Sequence, residues 1–193
     1  MTGVRAIVEQ LEKAVDLYAR LMVHAAGLPN DDLFARMLVR QSEGLGALPP
    51  GLGLTAGQFG ALLTRHFPDS GPLGLPAPEA LPAARAEELN DLLTLLTEFR
   101  AGLDPSELWM AEIVAAACMA NDHLWQDLGL WNRADLTRLM RENFPRLAAL
   151  NVHDMKWKKF LYKQLCKREG VYVCRAPSCA ACVDYTVCFG PEV

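Results

Sequence analysis

The 193-residue sequence lacks any uninterrupted apolar run of the roughly 18 to 20 residues that a membrane-spanning helix needs. Its first residues, Met-Thr-Gly-Val-Arg, lack the charged, apolar and cleavage segments of a signal peptide. An excess of positive charge is also lacking, since 19 Lys and Arg stand against 23 Asp and Glu, for a net charge of −4. We therefore expect a cytoplasmic protein that binds neither membranes nor nucleic acid.

The sequence also lacks the motifs of common enzyme classes. It has no phosphate-binding glycine loop, and Gly51-Leu52-Gly53 has neither a strand before it nor the third glycine of a dinucleotide-binding motif. No Ser, His and Asp residues stand in an order typical of hydrolases. We therefore do not expect a hydrolase or a nucleotide-dependent enzyme.

Strand-like alternation is nearly absent, and Val171-Tyr172-Val173 is the one short candidate. Apolar residues instead recur at helical spacing through most of the chain, which predicts an all-α fold of about seven helices. Local signals mark several helix ends: Thr55 with Gln58, Asp104 to Glu107, Asn132 with Asp135, Pro145 and Gly170. The Gly- and Pro-rich stretches 44–53 and 68–82 are predicted to be loops.

Charge separates a body from a tail. Residues 1–154 carry 12 basic and 20 acidic side chains, whereas residues 155–193 carry seven basic and three acidic ones. We predict one domain over residues 1–193, in which 1–154 form a helical body and 155–193 form a basic helix followed by a cysteine-rich loop. Each block flanking the two Gly- and Pro-rich stretches is small for a domain of its own.

The strongest chemical signal is a run of cysteines in the tail. Five of the six cysteines lie in the last 28 residues, and Cys174, Cys179, Cys182 and Cys188 form a C-x4-C-x2-C-x5-C motif. Cytosolic thiols are kept reduced, so clustered cysteines there indicate metal ligation rather than disulfides. Four soft thiolates so close in sequence can converge on one metal centre.

The spacing alone leaves the metal open. A structural zinc site usually takes its thiolates from two separated C-x2-4-C pairs, so this run fits zinc but is untypical of it. Its C-x4-C-x2-C part matches the start of the plant-type ferredoxin spacing, and the nearby fourth cysteine resembles compact bacterial iron–sulfur runs. Free or disulfide-bonded cysteines are the third alternative.

Other residues are candidates for further ligands. Cys166 on the basic helix, His123 at the predicted end of the fifth helix, and His153 just before the basic helix each offer a thiol or an imidazole. For each, a packing or capping role is the competing interpretation. His66 and Cys118 are predicted to be structural. The tail's lysines either form a solvated helix face or help to hold an anionic cluster or an incoming oxyanion.

Several segments resemble one known family. Met155-Lys-Trp-Lys-Lys-Phe-Leu-Tyr-Lys-Gln-Leu-Cys166, the Cys174 to Cys182 segment and the ending Cys188-Phe-Gly-Pro191 are similar to the NifQ family of nitrogen-fixing bacteria. The segments Asn121 to Leu130 and Gly53-Leu-Thr55 to His66-Phe-Pro68 are similar to it as well. The likeness covers most of the chain, and the four-cysteine motif has no missing ligand.

The resemblance implies a metal donor rather than an enzyme. A NifQ-like protein would carry molybdenum with an iron–sulfur cluster of the 4Fe-4S or MoFe3S4 type and supply it for assembly of the nitrogenase iron–molybdenum cofactor. Cys174, Cys179, Cys182 and Cys188 would bind the cluster, and the metal source would be molybdate or a molybdenum–sulfur compound. Implied partners are the cofactor-assembly scaffold and the nitrogenase iron protein.

Two other functions remain open. The first is a zinc-stabilised interaction module whose basic helix docks an acidic protein or nucleic acid, and the second is an iron–sulfur protein that only transfers electrons. Metal content separates all three functions. In each of them we expect the tail to gain order when metal binds, because the binding energy of such sites is also folding energy.

Overall fold

A computed structural model describes residues 2–79, 81, 85–170 and 185–190 of the chain. Every regular element in these residues is an α-helix, which confirms the predicted all-α class. Along the chain the helices are α1 (Thr2–Val23), α2 (Asp31–Ser42), α3 (Ala56–His66), α4 (Ala86–Glu98), α5 (Ser106–Cys118), α6 (Leu124–Asp127), α7 (Arg133–Asn143), α8 (Pro145–Ala149), α9 (Trp157–Arg168) and α10 (Tyr185–Phe189). In the described part of the chain, none of these helices has the length and apolar character that crossing a membrane requires.

The described residues contain ten helices, so the predicted number of about seven was too low. The additional helices are α6, α8 and α10, which have four or five residues each and are too short to show a helical period. Pro145 was predicted to stop a helix, and α7 does end two residues before it. Pro145 is also the first residue of α8, a position where its missing N–H costs nothing. The strand candidate 171–173 and most of the cysteine-rich loop lie outside the described residues.

Local capping signals act as predicted. The Thr55 hydroxyl accepts a hydrogen bond from the Gln58 amide at 3.3 Å, and the Thr55 amide donates back to the Gln58 side chain at 3.0 Å. At α7, Asn132 Oδ1 accepts from the Asp135 amide at 2.9 Å. Gly170 follows α9 with φ +69°, the left-handed conformation that ends helices at low cost. These bonds need only neighbouring residues, which is why the sequence predicts them.

Helix α5 lies at the centre of the fold. Its turns are apolar and buried on nearly every side, from Met110 to Cys118, so it has no solvent-facing stripe. It packs against α3, α4 and α6, and α4 in turn packs against α9. The C-terminal end of α5 and the start of α9 are thereby brought to the same region of the molecule, where the loop 119–123 leads into α6.

The two Gly- and Pro-rich loops pack against each other. The Glu79 amide donates to the Pro50 carbonyl at 2.8 Å. Gly51 has φ +81°, and a Cβ placed there would lie 2.5 Å from the Cβ of Pro78. Only glycine combines this backbone conformation with this close approach. The stretches are loops as predicted, and their contact requires a glycine at position 51.

Candidate metal centre

The fourth cysteine of the motif is the one that the structure describes. Cys188 lies in α10, half-buried, and packs with Phe189 against the hydrophobic core. Its neighbour Val187 is 51% exposed, so α10 lies at the surface. Cys174, Cys179 and Cys182 lie outside the described residues. The predicted convergence of four thiolates therefore stays a prediction.

Helix α10 is bound to the start of α9. The Lys156 amide donates to the Cys188 carbonyl at 2.8 Å, and Lys156 Nζ lies 3.4 Å from the Thr186 carbonyl oxygen. The chain then turns at Gly190, whose amide donates to the Thr186 carbonyl at 2.8 Å. A Cβ at Gly190 would lie 2.5 Å from that carbonyl oxygen, so the turn accepts no larger residue without a shift. The backbone of Cys188 is thus held against the helical body.

A cleft of about 290 Å³ opens beside α10. Three parts of the chain line it: the loop before and into α6, the first residues of α9, and one residue of α10. The lining residues are Asn121, Asp122, His123, Leu124, Lys156, Lys158, Lys159 and Val187. The cleft therefore brings together one of the predicted histidines, three lysines of the basic helix and the residue directly before Cys188. We call it the cationic cleft.

His123 enters the cationic cleft from the residue before α6. The prediction that it ends the fifth helix was wrong, because α5 ends at Cys118 and a short loop separates the two. His123 has an extended backbone, with φ −64° and ψ 143°, and its amide donates to the Gln126 side chain at 3.2 Å. The half-buried imidazole is thus positioned by the helix start that follows it.

Lys158 is the one cleft lysine with a buried ionic partner. Its ammonium group bonds to the Asp127 carboxylate, whose side chain is 3% exposed, and also donates to the Ala120 carbonyl at 2.9 Å. The ion pair with Lys158 makes the burial of the Asp127 carboxylate tolerable. The pair joins α9 to α6 and to the C-terminal end of α5.

The remaining charges make the cleft positive. Among the described residues, no carboxylate forms an ion pair with Lys156 or Lys159. Asp122 is the only acid among the described lining residues, and it is exposed, so water screens its charge. No side chain of the described residues caps the N-terminal amides of α9, which adds the positive end of a helix dipole.

The other two predicted ligands do not line the cationic cleft. Cys166 is half-buried near the C-terminal end of α9, seven residues after Lys159 and therefore ~10 Å further along the helix axis. His153 is exposed in the turn between α8 and α9. Within the described ranges, no three His, Cys, Asp or Glu side chains converge as a metal site would require.

Two residues predicted to be structural are buried in the core. Burial raises the pKa of the Cys118 thiol to about 12. His66 is fully buried, with its Nδ1 2.6 Å from Asp31 Oδ1 and its ring edge-on to Phe34. Burial also lowers the pKa of His66 despite the opposing effect of Asp31, and Nε2 has no hydrogen-bond partner among the described residues. Both side chains pack within the fold, and neither is among the described residues that line the cleft.

The cleft itself was not predicted from the sequence. Its parts are 32 and 28 residues apart along the chain, and the lysines gave only a charge pattern. One signal did exist, because the segments that resembled a known family included both 121–130 and the lysine-rich start of the tail. The two segments that resemble the family are therefore also the two that meet in the folded chain.

Comparison with known proteins gives a consistent family match. The family model described as NifQ matches residues 33–190, a span that includes all four cysteines of the motif. Protein NifQ of Azotobacter vinelandii is 47% identical over 169 residues, covering 82% of this chain and 87% of the relative. Protein NifQ of Rhodobacter capsulatus is 39% identical, covering 83% and 87%. Protein NifQ of Klebsiella pneumoniae is 36% identical, covering 84% and 99%. No solved structure matches the chain.

Proposed function

Because this chain belongs to the NifQ family, we propose that it carries molybdenum on an iron–sulfur cluster and supplies it for assembly of the nitrogenase iron–molybdenum cofactor. One observation carries the proposal: the family match runs to residue 190 and so includes the complete C-x4-C-x2-C-x5-C motif. In this proposal the protein is a metal donor rather than a catalyst. The cofactor-assembly scaffold and the nitrogenase iron protein are its proposed partners.

The donor set suits such a cargo. Cys174, Cys179, Cys182 and Cys188 would hold the cluster, since thiolates favour iron and sulfide-bound molybdenum over hard oxygen-bound metals. The one described member, Cys188, has its backbone tied to Lys156 by a 2.8 Å hydrogen bond. A ligand whose backbone is already held loses less conformational entropy when it binds metal.

His123 is the proposed donor for a metal position that lacks a cysteine. Support comes from its half-buried imidazole in the cleft lining, where it shares the cleft with Val187, the residue before Cys188. Cys166 and His153 lie outside that lining and have less support. Imidazole is a common ligand for iron and other transition metals, so the chemistry fits.

Release of the cargo to a partner requires an accessible edge. Thr186 and Val187 of α10 are exposed, and Cys188 is half-buried beside them. A partner could therefore reach the fourth cysteine without unfolding of the helical body. The net positive charge of residues 155–193 would favour an acidic partner surface.

Metal analysis of the protein tests the proposal. Anaerobically purified protein should contain iron, labile sulfide and molybdenum, with a broad visible absorption that Cys179→Ser abolishes. Cys118→Ala, at a buried thiol outside the motif, should leave the absorption unchanged. Protein that contains zinc without iron or sulfide would overturn the proposal in favour of a zinc-stabilised module. Iron and sulfide without molybdenum would indicate an electron carrier.

A further inference from the structure

We propose that the cationic cleft is a binding site for a tetrahedral dianionic oxyanion, which for this protein is molybdate, and that Lys156 and Lys159 are its main binding residues. The inference rests on the proposed function, because it assigns a place where the metal source binds before it meets the cysteines. We assign it as a site distinct from that of the cluster, because no described residue of the cleft lining is a cysteine.

The first argument is that the three cleft lysines differ in their ionic partners. Lys158 is committed to the buried Asp127 carboxylate and to the Ala120 carbonyl. Lys156 and Lys159 have no carboxylate partner among the described residues, although both line the same concave surface. Lys156 Nζ has the neutral Thr186 carbonyl within 3.4 Å, and Asp122, the acid of the lining, is exposed to water. Two lysines without a carboxylate partner on one concave surface attract an anion, and charge-assisted hydrogen bonds to it are stronger than neutral ones.

The second argument is size. Water occupies about 30 Å³ per molecule in the liquid, so a cleft of about 290 Å³ holds a small oxyanion with several waters. An acidic helix or a nucleic-acid strand could place no more than a carboxylate or a phosphate group in it. The cleft thus favours a small ion over the acidic macromolecules that a basic surface also attracts.

The third argument is position. Lys156 is both a cleft residue and the donor of the hydrogen bond to the Cys188 carbonyl. An oxyanion held by Lys156 would therefore lie beside α10, the helix that carries the fourth cysteine of the motif. His123 lines the same cleft and would offer a nitrogen ligand to the metal of the bound ion.

Calorimetric titration of molybdate into the metal-free full chain tests the assignment. K156A/K159A should weaken binding by about tenfold or more, because charged hydrogen bonds are lost. K163A/K167A removes the same charge from exposed positions of α9 outside the cleft and should change Kd by less than about twofold. K156R/K159R should keep most of the binding, since the charge remains.

Several outcomes would overturn the inference. They are no binding to the wild-type chain, equal weakening in both alanine pairs, and equal displacement of molybdate by chloride and by sulfate at the same concentration. We expect sulfate to displace molybdate and chloride not to, because the two tetrahedral dianions share shape and charge.

Iron loading separates this inference from the proposed function. K156A/K159A should take up iron and sulfide like the wild type, whereas replacement of all four motif cysteines by serine should abolish iron uptake and leave molybdate binding intact. Loss of molybdate binding in the serine variant would overturn the inference. Molybdate binding by a chain that never takes up iron would support the inference and contradict the proposed function.

Discussion

The backbone amide of Lys156 donates a hydrogen bond to the carbonyl oxygen of Cys188 at 2.8 Å. This bond joins the residue that directly precedes α9 to the last cysteine of the motif, across 31 intervening residues. The same lysine lines the cationic cleft, which also contains His123. The fourth cysteine is therefore tied to the part of the helical body that concentrates positive charge.

Breaking the ion pair beneath the cleft should destabilise the fold. Lys158→Met would leave the buried Asp127 carboxylate without its cation, which we expect to lower the free energy of unfolding by about 3 kcal/mol. Urea denaturation followed by circular dichroism measures this. Lys163→Met at an exposed position of α9 should cost less than about 0.5 kcal/mol.

The double variant Asp127→Leu with Lys158→Met should regain part of the stability, because it removes both charges and leaves none unpaired. If Lys158→Met proved as mild as Lys163→Met, the pair would not hold α9 to α6 as described.

Sequence patterns predicted the parts of this fold that depend on near neighbours. Thr55 with Gln58 and Asn132 with Asp135 cap helices as expected, because each bond spans three residues. They did not predict the burial of Asp127, whose partner Lys158 lies 31 residues further on. Nor could they give α6, α8 and α10, where one helical turn is formed by packing rather than by a periodic apolar stripe.

The candidate site likewise has one part that the sequence predicts and one part that it does not. The C-x4-C-x2-C-x5-C motif lies in one short segment and is recognisable from the sequence, and it indicated the family. The cationic cleft depends on α5 bringing the loop at 121–123 next to the start of α9, which no local pattern encodes. The sequence therefore offered His123 and His153 as equal candidates, and only His123 lines the cleft.

Gly51 should be required both for its left-handed backbone conformation and for the close approach of Pro78. Gly51→Ala places a Cβ against Pro78 at φ +81°, whereas Gly44→Ala meets the left-handed strain at φ +71° with no atom within 4 Å. We expect Gly44→Ala to cost about 1 kcal/mol and Gly51→Ala at least about 1 kcal/mol more. Thermal unfolding of the two variants measures the difference, and equal midpoints would show that the loop contact contributes nothing.

Acid should destabilise the protein through His66. Burial lowers the pKa of His66 below the ordinary value of 6.5, so the unfolded chain binds more protons than the folded one as the pH falls below that value. Stability should therefore fall as the pH drops through 6.5, and keep falling until the pH is below the lowered pKa of folded His66. His66→Asn should show a smaller drop, because its amide can still donate towards Asp31 without titrating.

The exposed His153 offers a control for that change. His153→Asn should keep the pH dependence of the wild type, as measured by unfolding midpoints across the same pH range. A wild-type slope in His66→Asn would mean that other groups cause the loss of stability in acid.

Substitutions of His123 and of His153 should also differ in their effect on the molybdenum content of the protein. If His123 supplies the nitrogen ligand, His123→Ala should lower molybdenum per iron at unchanged iron content, while His153→Ala should match the wild type. Elemental analysis of anaerobically purified variants gives both ratios. A molybdenum-to-iron ratio that is equal in the two variants would exclude His123 as the ligand.

Molybdenum transfer is the most direct test of the proposed function. In an assay that assembles the iron–molybdenum cofactor with this protein as the only molybdenum source, the wild type should support assembly. The variant with serine at Cys174, Cys179, Cys182 and Cys188 should not. Unchanged assembly with the serine variant would contradict the account.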